Sequence, residues 1–152
     1  MDVMATMRGC DPFPELWQRR RRIRLPGIGV VNVLALPDLV QAKKTQRDKD
    51  WPMIRRLVET DYHSKSSRAT SADACFWLME LRTPELLTQV VRDFPQPARR
   101  LEKRRPLLRH ARQSRATRLR QMLMAEESRE RRADRHHWLP LRHELAKLRR
   151  QA

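Results

Sequence analysis

Glycine is scarce in this chain, with 3 residues against 10 prolines in a length of 152. That ratio excludes a flexible Gly/Ser-rich chain, and the prolines stand mostly where segments begin or end, as punctuation does. Cys10 and Cys75 lie far apart with no CxxC spacing, which excludes a disulfide framework and suits a reducing compartment. No charged N-terminal segment leads into an apolar run, so no secretory signal is expected. Nowhere do apolar residues approach the roughly 18 in a row that a membrane helix needs. The expectation is a cytoplasmic protein that does not enter a membrane. G-x-S-x-G, Walker and G-x-G-x-x-G patterns are all missing, which removes the common hydrolase, P-loop and dinucleotide-binding readings. The histidines do not organise either. His136, His137 and His143 lie near Trp138, His63 and His110 stand alone, and none is spaced with a cysteine as a zinc site requires.

What the chain does have is positive charge. It carries 34 Lys and Arg against 18 Asp and Glu, a formal net charge of +16, and 34% of its residues are charged against 39% apolar. Such a composition fits a small core with amphipathic helices better than one large core. The excess is uneven: residues 77–152 hold 20 basic and 9 acidic side chains, residues 1–76 hold 14 and 9. A balance of this kind favours polyanionic partners, because each neutralised phosphate releases counterions. Arginine accounts for 28 of the basic residues, so codon composition at solvated positions is a competing explanation.

Patterning divides the chain in two. Residues 2–7 alternate as a short strand does, and Ile23–Leu25 and Val30–Leu34 flank Pro26-Gly27-Ile28-Gly29, the signal of a hairpin with a four-residue loop. Phe13–Trp17 reads as a short helix or turn. From residue 36 the period becomes helical. Leu36, Leu39 and Val40 mark a first helix opened by Pro37 and Asp38, and Met53, Ile54, Leu57 and Val58 mark a second that follows Asp50. The polar stretch 63–71 reads as an exposed linker between a partial α/β domain at 1–62 and a basic helical region at 72–152. Within that region Ser71 is the expected cap of a helix over 72–82, and Thr83-Pro84-Glu85 starts the next. Pro106 opens a long helix reaching Leu123, and a last one follows Pro140. The expected fold class is α+β: a short partial sheet, strand plus hairpin, before a mainly helical C-terminal half.

Two groups of residues carry candidate chemistry. Continued helical spacing places Lys43 and Arg47 on the stripe of Leu36 and Leu39, with Asp50 three residues beyond, so that Lys supplies a point charge and Arg a fork toward a phosphate. The competing reading is that Lys43 snorkels past the core edge and Asp50 caps the next helix. The D-x-D formed by Asp48 and Asp50 falls at a helix junction, where strand alternation does not apply, and reads as coincidence. The second group is residues 99–120, with ten Lys or Arg and Glu102 as the one acid. Arg104, Arg105, Arg109 and Arg112 lead this block, whose helical recurrence suits the backbone of RNA or DNA. Aromatics are scarce there, so base stacking is not supported, and a plain solvated face is the alternative.

The string Asp38-Leu39-Val40-Gln41-Ala42-Lys43, followed by Arg47-Asp48-Lys49-Asp50 and preceded by the strand through Val31, resembles the distal motif of bacterial nucleotidyltransferase-fold proteins. That group includes minimal nucleotidyltransferases and the nucleotidyltransferase toxins of toxin–antitoxin systems. The resemblance covers about residues 1–62. It implies Mg²⁺-dependent transfer of a nucleotidyl group from a nucleoside triphosphate, with Lys43 on triphosphate oxygens and Arg47 and Asp50 shaping the cleft wall. It also implies a catalytic, metal-binding carboxylate at Asp2. The family's Gly-Gly or Gly-Ser turn with its D-x-D strand has no counterpart before Asp2. The expectation is therefore a partial nucleotidyltransferase-like protein that does not catalyse alone, with a basic module for nucleic acid or an acidic protein as the alternative.

Overall fold

Pro26 and Gly27 turn the chain in the way a type II turn requires. The Ile28 N–H donates to the Leu25 carbonyl at 3.2 Å, and Gly27 takes the positive φ, +74°, that the third position of such a turn needs. The turn joins β1 (Arg21–Leu25) to β2 (Gly29–Val33) in an antiparallel pair running from Arg21 opposite Val33 to Leu25 opposite Gly29. Gly29 is thus already paired, and the loop is three residues long, one fewer than expected. Alternation puts Ile23, Leu25, Val31 and Val33 on one face and Arg22, Arg24 and Asn32 on the other. The hairpin residues are exposed except Val31, which is half-buried.

The computed structural model describes residues 6–113 and 115–151. The strand expected at 2–7 lies mostly outside them, as does Asp2, and Thr6 and Met7 are not in a strand. Before the hairpin comes α1 (Phe13–Gln18) and after it α2 (Leu36–Ala42), α3 (Asp50–Lys65), a 3₁₀ turn (Ser66–Arg68), α4 (Ser71–Glu80) and α5 (Pro84–Asp93). Then follow α6 (Pro95–Leu101), α7 (Leu108–Arg112) and α8 (Ala116–Gln151). The fold class is α+β, a two-stranded hairpin followed by a mainly helical part. No helix among the described residues is long and apolar enough to cross a membrane.

Arg19, the C-cap of α1, ties the approach to the hairpin to α2. Its Nε and Nη2 donate to the two oxygens of Asp38 at 2.7 and 2.8 Å, and Nη2 also reaches Asp11 at 2.6 Å. These hydrogen bonds raise the Arg19 pKa above its ordinary value. The helices pack through one cluster. On α3, Trp51, Ile54, Val58 and Tyr62 repeat at helical spacing and are buried. They meet Trp77, Leu78 and Leu81 of α4 and its end, Leu87 and Val90 of α5, Leu108 and Ala111 of α7, and Leu119 and Leu123 of α8.

Three expectations are corrected. The polar 63–71 stretch is largely helical: α3 runs to Lys65, the 3₁₀ turn follows, and half-buried Ala69 packs against the core. The cap of α4 is Thr70, not Ser71. Thr70 accepts from the Asp73 N–H while the Asp73 carboxylate accepts from the Thr70 N–H and hydroxyl, a reciprocal capping box. Those bonds from Thr70 hold the Asp73 carboxyl below its usual pKa. Finally, the long helix expected from Pro106 to Leu123 is broken: α7 ends at Arg112, and the remainder joins the segment expected after Pro140 in α8, 36 residues that run through Pro140. Trp138 Nε1 donates to Asp134 Oδ1 at 3.1 Å one turn before that proline, a side-chain link that spans the stretch where Pro140 removes a backbone bond. Replacing Thr70 by Ala is expected to cost about 1 kcal/mol, read as a fall of roughly 2–4 °C in Tm by calorimetry. An unchanged Tm would contradict the capping assignment.

Candidate functional site

The segment that carries the nucleotidyltransferase resemblance is a tethered loop, not a longer helix. α2 stops at Ala42, and Lys43 is its C-cap. Beyond it the backbone finds tertiary partners in place of helical ones. The Lys44 carbonyl accepts from Arg8 Nη2 at 2.8 Å, the Thr45 carbonyl from Trp51 Nε1 at 2.9 Å, and the Gln46 N–H donates to Asp134 Oδ2 at 2.9 Å. Lys43 and Arg47 therefore do not share a helix face. Arg47 is exposed on the loop, with its N–H donating to Thr45 Oγ1 at 3.1 Å.

Lys43 and Asp50 do come together. Lys43 Nζ lies 3.4 Å from Asp50 Oδ1, and Thr45 Oγ1 donates to Asp50 Oδ2 at 2.6 Å. Asp50 is 2% exposed, while a third of the Lys43 side chain faces solvent. The carboxylate thus anchors the lysine and closes the loop. Both Asp50 oxygens are engaged, by Lys43 and Thr45, and Asp48 pairs with Arg131; Asp2, the expected metal ligand, lies outside the described residues. Among the described residues no three His, Cys, Asp or Glu converge to hold a metal.

A second polar assembly lies behind this loop, and periodicity confined to apolar residues missed it. On α8, Leu119 and Leu123 are followed along the same face by Glu126, Glu130 and Asp134. Each acid meets a group from another element. Glu126 receives Arg105 Nε at 3.1 Å and Nη2 at 2.8 Å, a bidentate fork, and Arg82 Nη1 at 3.1 Å. Glu130 receives Arg8 at 2.7 Å, and Asp134 receives the Gln46 N–H. Arg105, 2% exposed, also donates to the carbonyls of Leu78 and Leu81 at 2.8 and 2.9 Å, which satisfies free carbonyls at the end of α4. The spacing 119, 123, 126, 130, 134 was the available signal. Arg82 and Arg131 lie over the Trp51 ring, 4.8 and 5.5 Å from its centroid.

Burial opposes ionisation of Glu126, but the hydrogen bonds and charge of Arg105, with Arg82 and Lys44, outweigh it and hold the carboxyl below its usual value. For Arg82 burial wins, and its pKa falls below the ordinary arginine value.

The basic block is split by these contacts. Arg105 faces inward. Arg109 and Arg112 are exposed and share Glu102, at 3.7 and 3.1 Å. Arg104 is exposed, as are Arg99, Arg100 and Lys103. Comparison with family models, with curated proteins and with solved structures finds no match to the chain.

A glutamate with a lowered folded-state pKa stabilises the protein fully above its unfolded value of 4.5, and that contribution is lost as pH falls through the folded pKa. Glu126→Gln leaves Arg82 and Arg105 buried without a counter-charge, at an expected cost of about 3–5 kcal/mol near neutral pH. In urea titrations the variant should also lose stability less steeply than the parent below pH 4.5. Equal pH profiles would contradict the role given to Glu126.

Proposed function

We propose that this chain is a nucleotidyltransferase-like module that presents Lys43 to the phosphates of a nucleoside triphosphate and does not transfer a nucleotidyl group by itself. The observation that carries the reading is the anchored Lys43: its ammonium is held by a buried carboxylate at the end of α2, yet a third of the side chain remains open to solvent. A lysine prepaid in this way loses little side-chain freedom when an anion arrives. The free hairpin supports the same reading, since Ile23, Leu25 and Val33 are exposed and neither strand has a second neighbour among the described residues, as for strands that pair with a larger sheet.

Binding of a labelled nucleoside triphosphate is expected to weaken about tenfold in Lys43→Ala, the loss of one charge-assisted hydrogen bond. Incubation with Mg²⁺ and bulk tRNA should transfer no label. Unchanged affinity in Lys43→Ala contradicts the phosphate role, and label transfer that depends on Lys43 contradicts the inactivity.

A second reading rests on the exposed basic residues of α6 and the turn after it. Arg99, Arg100, Lys103 and Arg104 face solvent near the one acid Glu102, which Arg109 and Arg112 already engage. This surface suits the backbone of RNA or DNA. Replacing Arg99, Arg100 and Arg104 by Gln should lower the slope of log affinity against log salt by roughly one per residue. An unaltered slope removes this surface from consideration.

A further inference from the structure

A cleft of about 510 Å³ opens beside the junction of α4 and α5, away from the basic surface of α6. Its volume falls in the range of small-molecule sites. Arg55, Arg82 and Arg120 line it together with two acids, Glu85 and Glu127, and with Thr83, Leu123 and Met124. Three observations on these residues concern charge and open donors.

The first is an imbalance at the back of the cleft. Arg82 is 7% exposed and shares Glu126 with the fully engaged Arg105, so two guanidiniums face one carboxylate. The neighbouring acids have other partners as well: Glu80 Oε1 meets Lys44 at 2.8 Å while its Oε2 is buried without a partner among the described residues, and Glu127, which also lines the cleft, meets Arg131 at 2.7 Å. The second is a buried donor without a partner. Arg82 Nε is buried with no hydrogen-bond partner among the described residues, a condition that native interiors rarely leave unanswered. The third is the start of α5. Thr83 occupies the cap position without capping, because its hydroxyl donates to Glu59, and Pro84 has no N–H to offer. The first-turn amides of this ten-residue helix are therefore open to an outside acceptor.

At the mouth, Arg120 pairs with Glu85 at 3.5 Å, and both side chains are more than half exposed. A contact of that kind is weak and exchanges readily. Arg55 is exposed and has no ion-pair partner among the described residues. Leu123 and exposed Met124 add an apolar wall.

We propose that this cleft binds a small organic phosphate, with the phosphate group drawn to Arg82, Arg55, Arg120 and the first turn of α5, and the organic body against Leu123 and Met124. The site is separate from Lys43, which does not line the cleft. It differs from the surface of α6 in being a partly open cleft with an apolar wall, which suits a small molecule.

The test is calorimetric titration of the full chain at high ionic strength, which suppresses diffuse binding to the +16 charge, with adenosine monophosphate and inorganic phosphate as probes. Saturable binding of the nucleotide is expected, weakened by about tenfold or more in the double variant Arg55→Gln, Arg120→Gln. These two residues are exposed, so circular dichroism should remain that of the parent. Arg142→Gln with Arg149→Gln, at the far end of α8, should bind as the parent does. Inorganic phosphate binding tenfold more weakly identifies an organic phosphate; equal affinity for both probes keeps the phosphate site and overturns the organic body. Binding that survives the Arg55, Arg120 variant but is lost in Lys43→Ala moves the ligand to the end of α2 and overturns the cleft. Absence of saturable binding by either probe overturns it outright.

Discussion

The carboxylate of Glu126 is the contact on which the interior depends. Removing two arginines from water costs several kcal/mol per ion unless geometry and hydrogen bonding compensate. Arg105 meets that condition with four hydrogen bonds, two to Glu126 and two to carbonyls at the end of α4. Through these bonds one side chain fixes where α4 stops, where α7 begins and which face of α8 turns inward. Arg82, the second guanidinium on the same carboxylate, carries the arrangement onward to Trp51 and so to the loop after α2.

Further along α8 the same logic repeats with Glu130 and Asp134, which reach Arg8 and the Gln46 amide. In a chain with so large a positive excess, these few acids on one helix face act as the receiving side for cations and amides from sequence-distant segments. The apolar cluster gives the helices their affinity for one another, because burial is non-directional. The acidic stripe adds register and orientation, which apolar contact alone does not supply.

Much of the fold could be read from residues whose chemistry is local. Pro26-Gly27 marks a turn because only glycine takes that φ cheaply, and Thr83-Pro84-Glu85 marks a helix start by its first-turn preferences. The stripe of Ile54 and Val58 was equally plain. What escaped was set by partners distant in sequence. Nothing near Lys43 says that α2 ends there; the loop is held by Trp51, Arg8 and Asp134. Arg105 looks like its exposed neighbours until Glu126 and the α4 carbonyls surround it. Pro140 reads as a boundary, yet α8 continues through it. Of the candidate site, helical spacing placed Lys43, Arg47 and Asp50 on one face; Lys43 and Asp50 instead meet as an ion pair across a loop, which spacing does not foretell, and Arg47 stands exposed beside them.

The functional proposals share this framework. Lys43 is poised by a buried acid, the α6 surface is basic because the nearby acid is already engaged, and the cleft beside α5 draws its charge from Arg82, Arg55 and Arg120. All three require that α3, α4 and α8 as far as Asp134 form one cooperative unit. Native-state hydrogen exchange tests that most directly. The account expects the amides of Ile54, Leu78 and Leu123 to open with one common free energy, equal to that of global unfolding. Opening of α8 at a distinctly lower free energy, with α3 and α4 still protected, would contradict it.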